Sequence, residues 1–215
     1  AILIEPVQGE GGIRPAPSGF LAELRALADE HGLLLILDEI QSGMGRTGRL
    51  FAHEWAEIEP DVAAVAKGLG SGFPVGAVLA TEEAARGMTP GVHGTTFGGN
   101  QLAMSVGNAV LDVMLADGFL DHVEAMGESL YGRLHAIVRM FPEIFRGVRG
   151  AGLMLGLECA VPAGEVVDRL RAAGLLTAPA AENVVRILPP LIIDQEQVDE
   201  AATIIEGVAA AWQKA

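Results

Sequence analysis

Short uninterrupted apolar runs alternate with amphipathic stretches along the first part of the chain. Residues 1–4 read as a strand ending at Glu5-Pro6, and 33–37 as a second ending at Asp38-Glu39. Residues 62–66 read as a third ending at Lys67, and 75–80 as a fourth. Between the first two, Phe20, Leu21, Leu24 and Leu27 fall on one helical face, with Ser18 the expected N-cap and Gly32 the stop. Strands apolar on both faces and separated by helices predict a mostly parallel sheet covered on both sides. In such sheets ligands bind beyond the carboxyl ends of the strands, where Glu5, Asp38 and Lys67 stand.

After a loop over 89–100, the periodicity predicts helices over 101–116 and about 120–140. Strands over 153–158 and 184–188 flank a helix over 164–173. A last helix starts near Asp194, whose spacing to Gln197 is that of a capping box. The expected organisation is α/β, with residues 1–118 the C-terminal portion of a large domain and 119–215 a small α+β domain. The chain opens directly on a strand, without a polar lead-in, so it is expected to begin inside a domain.

Composition narrows the function. The chain has 215 residues, 50% hydrophobic and 20% charged, enough to bury a sizeable core. A net charge of -14 with no basic patch argues against nucleic acid or an anionic membrane as partner. No apolar run reaches membrane-spanning length. The single cysteine, Cys159, excludes an internal disulfide and a cysteine-rich metal site, and fits a reducing cytoplasm. Neither a P-loop nor a dinucleotide fingerprint is present.

The chemistry-bearing candidates lie at strand ends and glycine loops. Lys67 is one of two lysines, the other being Lys214 on the expected C-terminal helix. A lysine ending a buried strand before a glycine-rich turn suits a nucleophilic amine that joins a carbonyl cofactor, or a snorkelling surface lysine. Asp38 follows five apolar residues and needs a cationic or hydrogen-bonding partner. A protonated ring nitrogen would serve, as would a cap or a salt bridge. Gln41 is placed either to bond a neighbouring ring substituent or to face solvent. The run from His93 to Asn100, with Thr95 and Thr96, offers hydroxyls and glycine amides before a helix, either an anion cradle or a plain connector. His93 has no second histidine or cysteine at metal-ligand spacing, so no metal is expected. Arg186, inside an apolar strand closed by Pro189-Pro190, suits a bidentate clamp on a carboxylate or a salt-bridged edge position. Glu10, on a glycine loop, is a possible partner for an arginine or an exposed carboxylate.

Glu5-Pro6-Val7-Gln8-Gly9-Glu10-Gly11-Gly12, Asp38-Glu39-Ile40-Gln41-Ser42-Gly43, Gly45-Arg46-Thr47-Gly48, Ala66-Lys67-Gly68 and His93 to Asn100 occur in that order. Together they resemble the class III pyridoxal-phosphate aminotransferases over the whole chain. The resemblance implies a type I fold, here a partial large domain of mostly parallel sheet with helices on both faces, then the small domain. It implies that Lys67 bonds the cofactor and shuttles the proton, that Asp38 pairs with the pyridine nitrogen, and that Gln41 lies near the phenolic oxygen. Thr96, with Thr95 beside it, would reach the cofactor phosphate of a neighbouring subunit, which implies a homodimer. Arg186 would bind the substrate carboxylate, Glu10 would neutralise that arginine when the other substrate is bound, and Glu5 would support Asp38. The implied reaction passes an ω-amino group to 2-oxoglutarate. N-acetylornithine is the favoured donor, with succinyl-diaminopimelate, ornithine or 4-aminobutyrate as alternatives.

Gln101 stands where a proline usually follows Gly-Gly-Asn, and Ser71 replaces a common glycine after the lysine. Family members are roughly twice as long. The half expected before Ala1 would hold the phosphate loop and the ring-stacking residue. A rival reading is a fragment that folds without holding the cofactor productively. Another is an aminomutase with the same lysine.

Overall fold

The computed structural model describes residues 1–212, so Lys214 lies outside the described residues. In chain order the strands are β1 Ile2–Ile4, β2 Val7–Gln8, β3 Arg14–Pro15, β4 Leu35–Asp38, β5 Val62–Val65, β6 Ala77–Ala80, β7 Phe145–Ala151, β8 Met154–Cys159, β9 Ala178–Ala180 and β10 Val184–Ile187. The helices are α1 Phe20–His31, α2 Glu82–Ala85, α3 Gln101–Met114, α4 Phe119–Met140, α5 Ala163–Ala172 and α6 Gln195–Trp212. The chain forms two units. The first comprises residues 1–6, 16–45 and 49–120, the second 7–15, 46–48 and 121–215.

The first unit holds a four-stranded sheet in the order β1-β4-β5-β6. β1, β4 and β5 are parallel, and β6 returns antiparallel. Leu35 and Leu37 of β4 are fully buried and cluster with Leu21 and Ala28 of α1. Full burial of each leucine contributes about 1.5–3 kcal/mol. Gly32 ends α1 in the left-handed region, its N–H donating to the Ala28 and Asp29 carbonyls, as its position predicts.

The start of α1 differs from expectation. Ser18 does not cap it. Gly19, at φ 80°, is the cap residue and makes no side-chain bond. Its left-handed backbone turns the chain into the helix, and the Gly19 carbonyl accepts from Glu23 N at 2.9 Å.

Asp61 fastens α1 to the sheet. Its Oδ2 accepts from Arg25 Nη1 and from Leu35 N, both at 2.7 Å, and Asp61 N donates to Leu35 O at 2.9 Å. Burial alone pushes the Asp61 pKa up, but the Arg25 hydrogen bond, the Leu35 amide and the guanidinium charge outweigh it. The net result lies below the usual aspartate value.

The sheet is not covered as fully as continuous apolar strands predict. Every residue of β6 is exposed, with Val78 at 69%, and Leu3 of β1 is 70% exposed. The four-residue α2 packs on β6 and is too short to shield that strand.

The second unit is an antiparallel sheet in the order β7-β8-β10-β9. Its core includes Leu130 and Leu134 of α4, Val166 and Leu170 of α5, and Val198 and Ile205 of α6. The capping box at α6 forms as its spacing predicts: Gln197 N donates to Asp194 Oδ1 at 2.9 Å, and Asp194 N to Gln197 Oε1 at 3.1 Å. The β2–β3 hairpin, not anticipated from the sequence, inserts Val7 and Ile13 against Met154 and Val184.

Candidate active site

Three parallel strand ends line up in the first unit. Asp38 is the last residue of β4 and is paired in register with Ala64 of β5. Ile4 of β1 pairs with Leu37, so Glu5 stands level with Asp38 one step beyond the strand. Lys67 follows the end of β5 by two residues. The structure therefore brings Glu5, Asp38 and Lys67 to one edge of one sheet, as predicted. Asp38 Oδ1 accepts from Ile40 N at 3.0 Å, which fixes the carboxylate and leaves Oδ2 able to accept from a ligand.

Lys67 follows the buried strand β5, as its position predicts. In this chain it is exposed, at φ 41°, in a single tight turn over residues 67–69 just after β5 stops at Val65. Left-handed backbone costs a non-glycine residue about 1–2 kcal/mol. Bonds from Leu69 N to Ala66 O and from Gly70 N to Lys67 O hold it. Gly68 cannot be larger, since a Cβ there would lie 2.9 Å from Met44 Cβ.

Glu39, inside the Asp38–Gly43 motif, has a structural role that the motif itself does not signal. Its N–H donates to Ala64 O at 2.9 Å, extending the ladder past Asp38. Its side chain is fully buried and accepts from Ser42 Oγ at 2.6 Å, Ala52 N at 3.1 Å and His53 N at 2.9 Å. His53 Nδ1 lies 3.0 Å from the same oxygen as His53 N. The carboxylate thereby closes the loop between residues 39 and 53, which includes the half-buried Gln41. The available signal was strand alternation: of two adjacent carboxylates, one must face inward and needs donors.

Thr95 and Thr96 are exposed in the loop before α3. Thr95 Oγ1 accepts from Gly98 N at 3.2 Å, and Asn100 caps α3 by accepting from Ala103 N at 3.0 Å. Neither threonine is hydrogen-bonded to Lys67 or Asp38 among the described residues.

The second unit carries the other two candidates as a pair. Arg186 Nη1 donates to Glu10 Oε1 at 2.5 Å, the arginine side chain 13% exposed and the glutamate 71%. Arg186 is not at a sheet edge. It lies on β10 between Gly156 of β8 and Ala178 of β9. Arg46, in the same unit, donates to Leu153 O at 3.1 Å and Pro189 O at 2.6 Å, fixing the chain just after β10. Burial pushes its pKa down to about 10.

Among the described residues no cluster of three or more His, Cys, Asp or Glu has the geometry to hold a metal ion. Among the described residues no single helix is long and apolar enough to cross a membrane.

A family model described as aminotransferase class-III matches residues 1–209. An acetylornithine aminotransferase of Mesorhizobium japonicum is 59% identical over 209 residues, covering 97% of this chain and 52% of that protein. One from Rhodobacter capsulatus is 54% identical, covering 99% of this chain and 54% of the relative. The solved N-acetylornithine aminotransferase of Stenotrophomonas maltophilia superposes with a TM-score of 0.89 at 40% identity, covering 99% of this chain and 56% of that one. An ornithine aminotransferase of Toxoplasma gondii, whose structure is described as showing partial occupancy of PLP at its active site, gives a TM-score of 0.93 at 34% identity, with coverages of 99% and 51%. The chain spans about half the length of the relatives it matches.

Proposed function

The chain belongs to the class III aminotransferases, and from that membership we propose that it supplies the lysine-bearing half of an acetylornithine aminotransferase. The reaction moves the ω-amino group of N-acetylornithine to 2-oxoglutarate, in arginine biosynthesis. The observation that carries the reading is the alignment of Glu5, Asp38 and Lys67 at three neighbouring strand ends. The higher identity to acetylornithine enzymes than to the ornithine enzyme favours the acetylated donor.

The residues fit pyridoxal phosphate. Asp38 offers a fixed carboxylate to a ring N–H, and Lys67 an exposed amine on a rigid turn. When bound, the cofactor supplies a carbonyl that takes up the amino group and a ring that disperses the electron pair left on the substrate carbon. Asp38 keeps the ring nitrogen protonated, and Glu5 supports Asp38. Lys67 moves the proton at the reacting carbon. Gln41 steadies the phenolic oxygen, while Thr96 and Thr95 hold the phosphate across the interface of a homodimer. Arg186 anchors a substrate carboxylate, and Glu10 takes its place on the guanidinium when the other substrate is present. The working location is the cytoplasm.

The test is a pyridoxal-phosphate titration of the chain followed by visible absorption, with Lys67→Ala alongside. The expected result is a yellow band in the parent that is lost in the variant. A variant that keeps the band refutes the assignment of Lys67, and a parent without the band shows that this half does not hold the cofactor by itself.

A further inference from the structure

Arg149 on β7 and Arg186 on β10 both pair with Gly156 of β8, so one strand separates them, and the Arg149 guanidinium holds the loop that carries Glu10. Its Nε donates to Gly12 O at 2.7 Å, its Nη1 pairs with Glu158 at 2.8 Å, and its Nη2 pairs with Glu182 at 3.0 Å. Glu182 also pairs with Arg14 at 2.5 Å, at the far end of the same loop. The loop is built to accept this clamp. Gly12 is at φ 101°, and a Cβ there would lie 2.8 Å from Arg149 Nη2 and 2.7 Å from Ala181 O. Ile13 is fully buried, and Ala181 N donates to Glu10 O at 3.0 Å.

The backbone beneath Glu10 is thus fastened on several sides, while its side chain is 71% exposed. A glycine-rich loop with Gly9, Gly11 and Gly12 would otherwise be mobile, and an ion pair formed from it would lose the entropy of ordering. We infer that Arg149 is a positioning residue for the substrate-exchange step: it fixes the loop so that Glu10 competes with an incoming carboxylate for Arg186 by side-chain rotation on a rigid mount. This rests on the reading of Arg186 as the carboxylate anchor and Glu10 as its internal competitor.

The consequence runs against a merely structural role. Loosening the mount weakens the Glu10–Arg186 pair, so a free carboxylate meets less competition and binds more tightly. Loss of a purely structural contact would weaken binding instead. Glu182→Gln, at an exposed position, loosens the same clamp without touching the core and guards against a misfolded Arg149→Met.

The experiment is a calorimetric titration of the chain with glutarate, a dicarboxylate probe. Glu10→Gln is expected to bind more tightly than the parent, and Arg186→Lys to lose binding. Arg149→Met is expected to raise affinity about three- to tenfold, with Glu182→Gln in the same direction but smaller. Neither change should add to Glu10→Gln, because the competitor is already gone. Failure of Glu10→Gln to tighten binding, or of Arg186→Lys to abolish it, removes the underlying reading. If those two behave as expected but Arg149→Met leaves affinity unchanged, lowers it, or acts equally in the Glu10→Gln background, the inference about Arg149 is overturned on its own.

Discussion

Replacing Glu39 asks how much of the site's rigidity one buried carboxylate provides. It accepts from two main-chain amides, Ala52 N and His53 N, and from Ser42 Oγ, with His53 Nδ1 at 3.0 Å. Glu39→Ala strands these donors in a fully buried pocket. Removing one partner of such a buried charged arrangement costs about 3–5 kcal/mol. Against a total domain stability of about 5–15 kcal/mol, that is close to unfolding. Glu39→Gln is the more informative change. It keeps the shape but presents an NH2 group to some of the donors, leaving one or two amides unsatisfied at about 1–3 kcal/mol. With a urea slope of about 2 kcal/mol per M, a loss of 2 kcal/mol lowers the midpoint by about 1 M. The local assay is amide hydrogen exchange, in which Ala52 and His53 should exchange faster in Glu39→Gln while Leu35 and Leu37 stay protected. The cofactor should also bind more weakly, because the loop that begins at Asp38 is no longer closed. A midpoint within about 0.2 M of the parent, with Ala52 and His53 still protected, would refute the reasoning.

Asp61→Asn should lower stability by about 1.5–3 kcal/mol at neutral pH, since Asp61 makes charge-assisted bonds. The folded pKa of Asp61 is depressed below the usual value of 3.8, so its contribution is complete above that value and drains away as pH falls through the folded pKa. Urea midpoints of parent and variant should therefore converge on acidification, and a gap that stays constant to pH 2 would contradict the assignment. Cys159 is buried, and burial pushes its pKa up to about 12. At pH 8 a disulfide reagent should label it only as fast as the chain opens, so prompt labelling of the native chain would show that the thiol is accessible.

Local signals were legible without coordinates. Each depends on residues a few positions apart: the LILD run of β4, the stop at Gly32, and the reciprocal bonds of Asp194 and Gln197. The same holds for the motif set, whose order identified the family from short segments. Ser18 was misjudged because cap geometry depends on backbone angles, and Gly19 had the freedom to take the left-handed turn instead.

Pattern alone also placed Asp38, Glu5 and Lys67 at strand ends, because parallel strands deliver their last residues to one edge. What it did not contain was partnership over distance. Glu10 and Arg186 are 176 positions apart, and Gly12 and Arg149 are 137 apart. Neither residue of such a pair signals the other in its own neighbourhood. The antiparallel return of β6 and the inward turn of Glu39 follow from pairing with β5 and from the donors that surround the buried carboxylate. Periodicity therefore determined most of the elements, and the order of the motifs marked the family and the candidate residues. Only the tertiary structure decided which charges meet and which loops are held, because these depend on segments that approach one another only once the chain has folded.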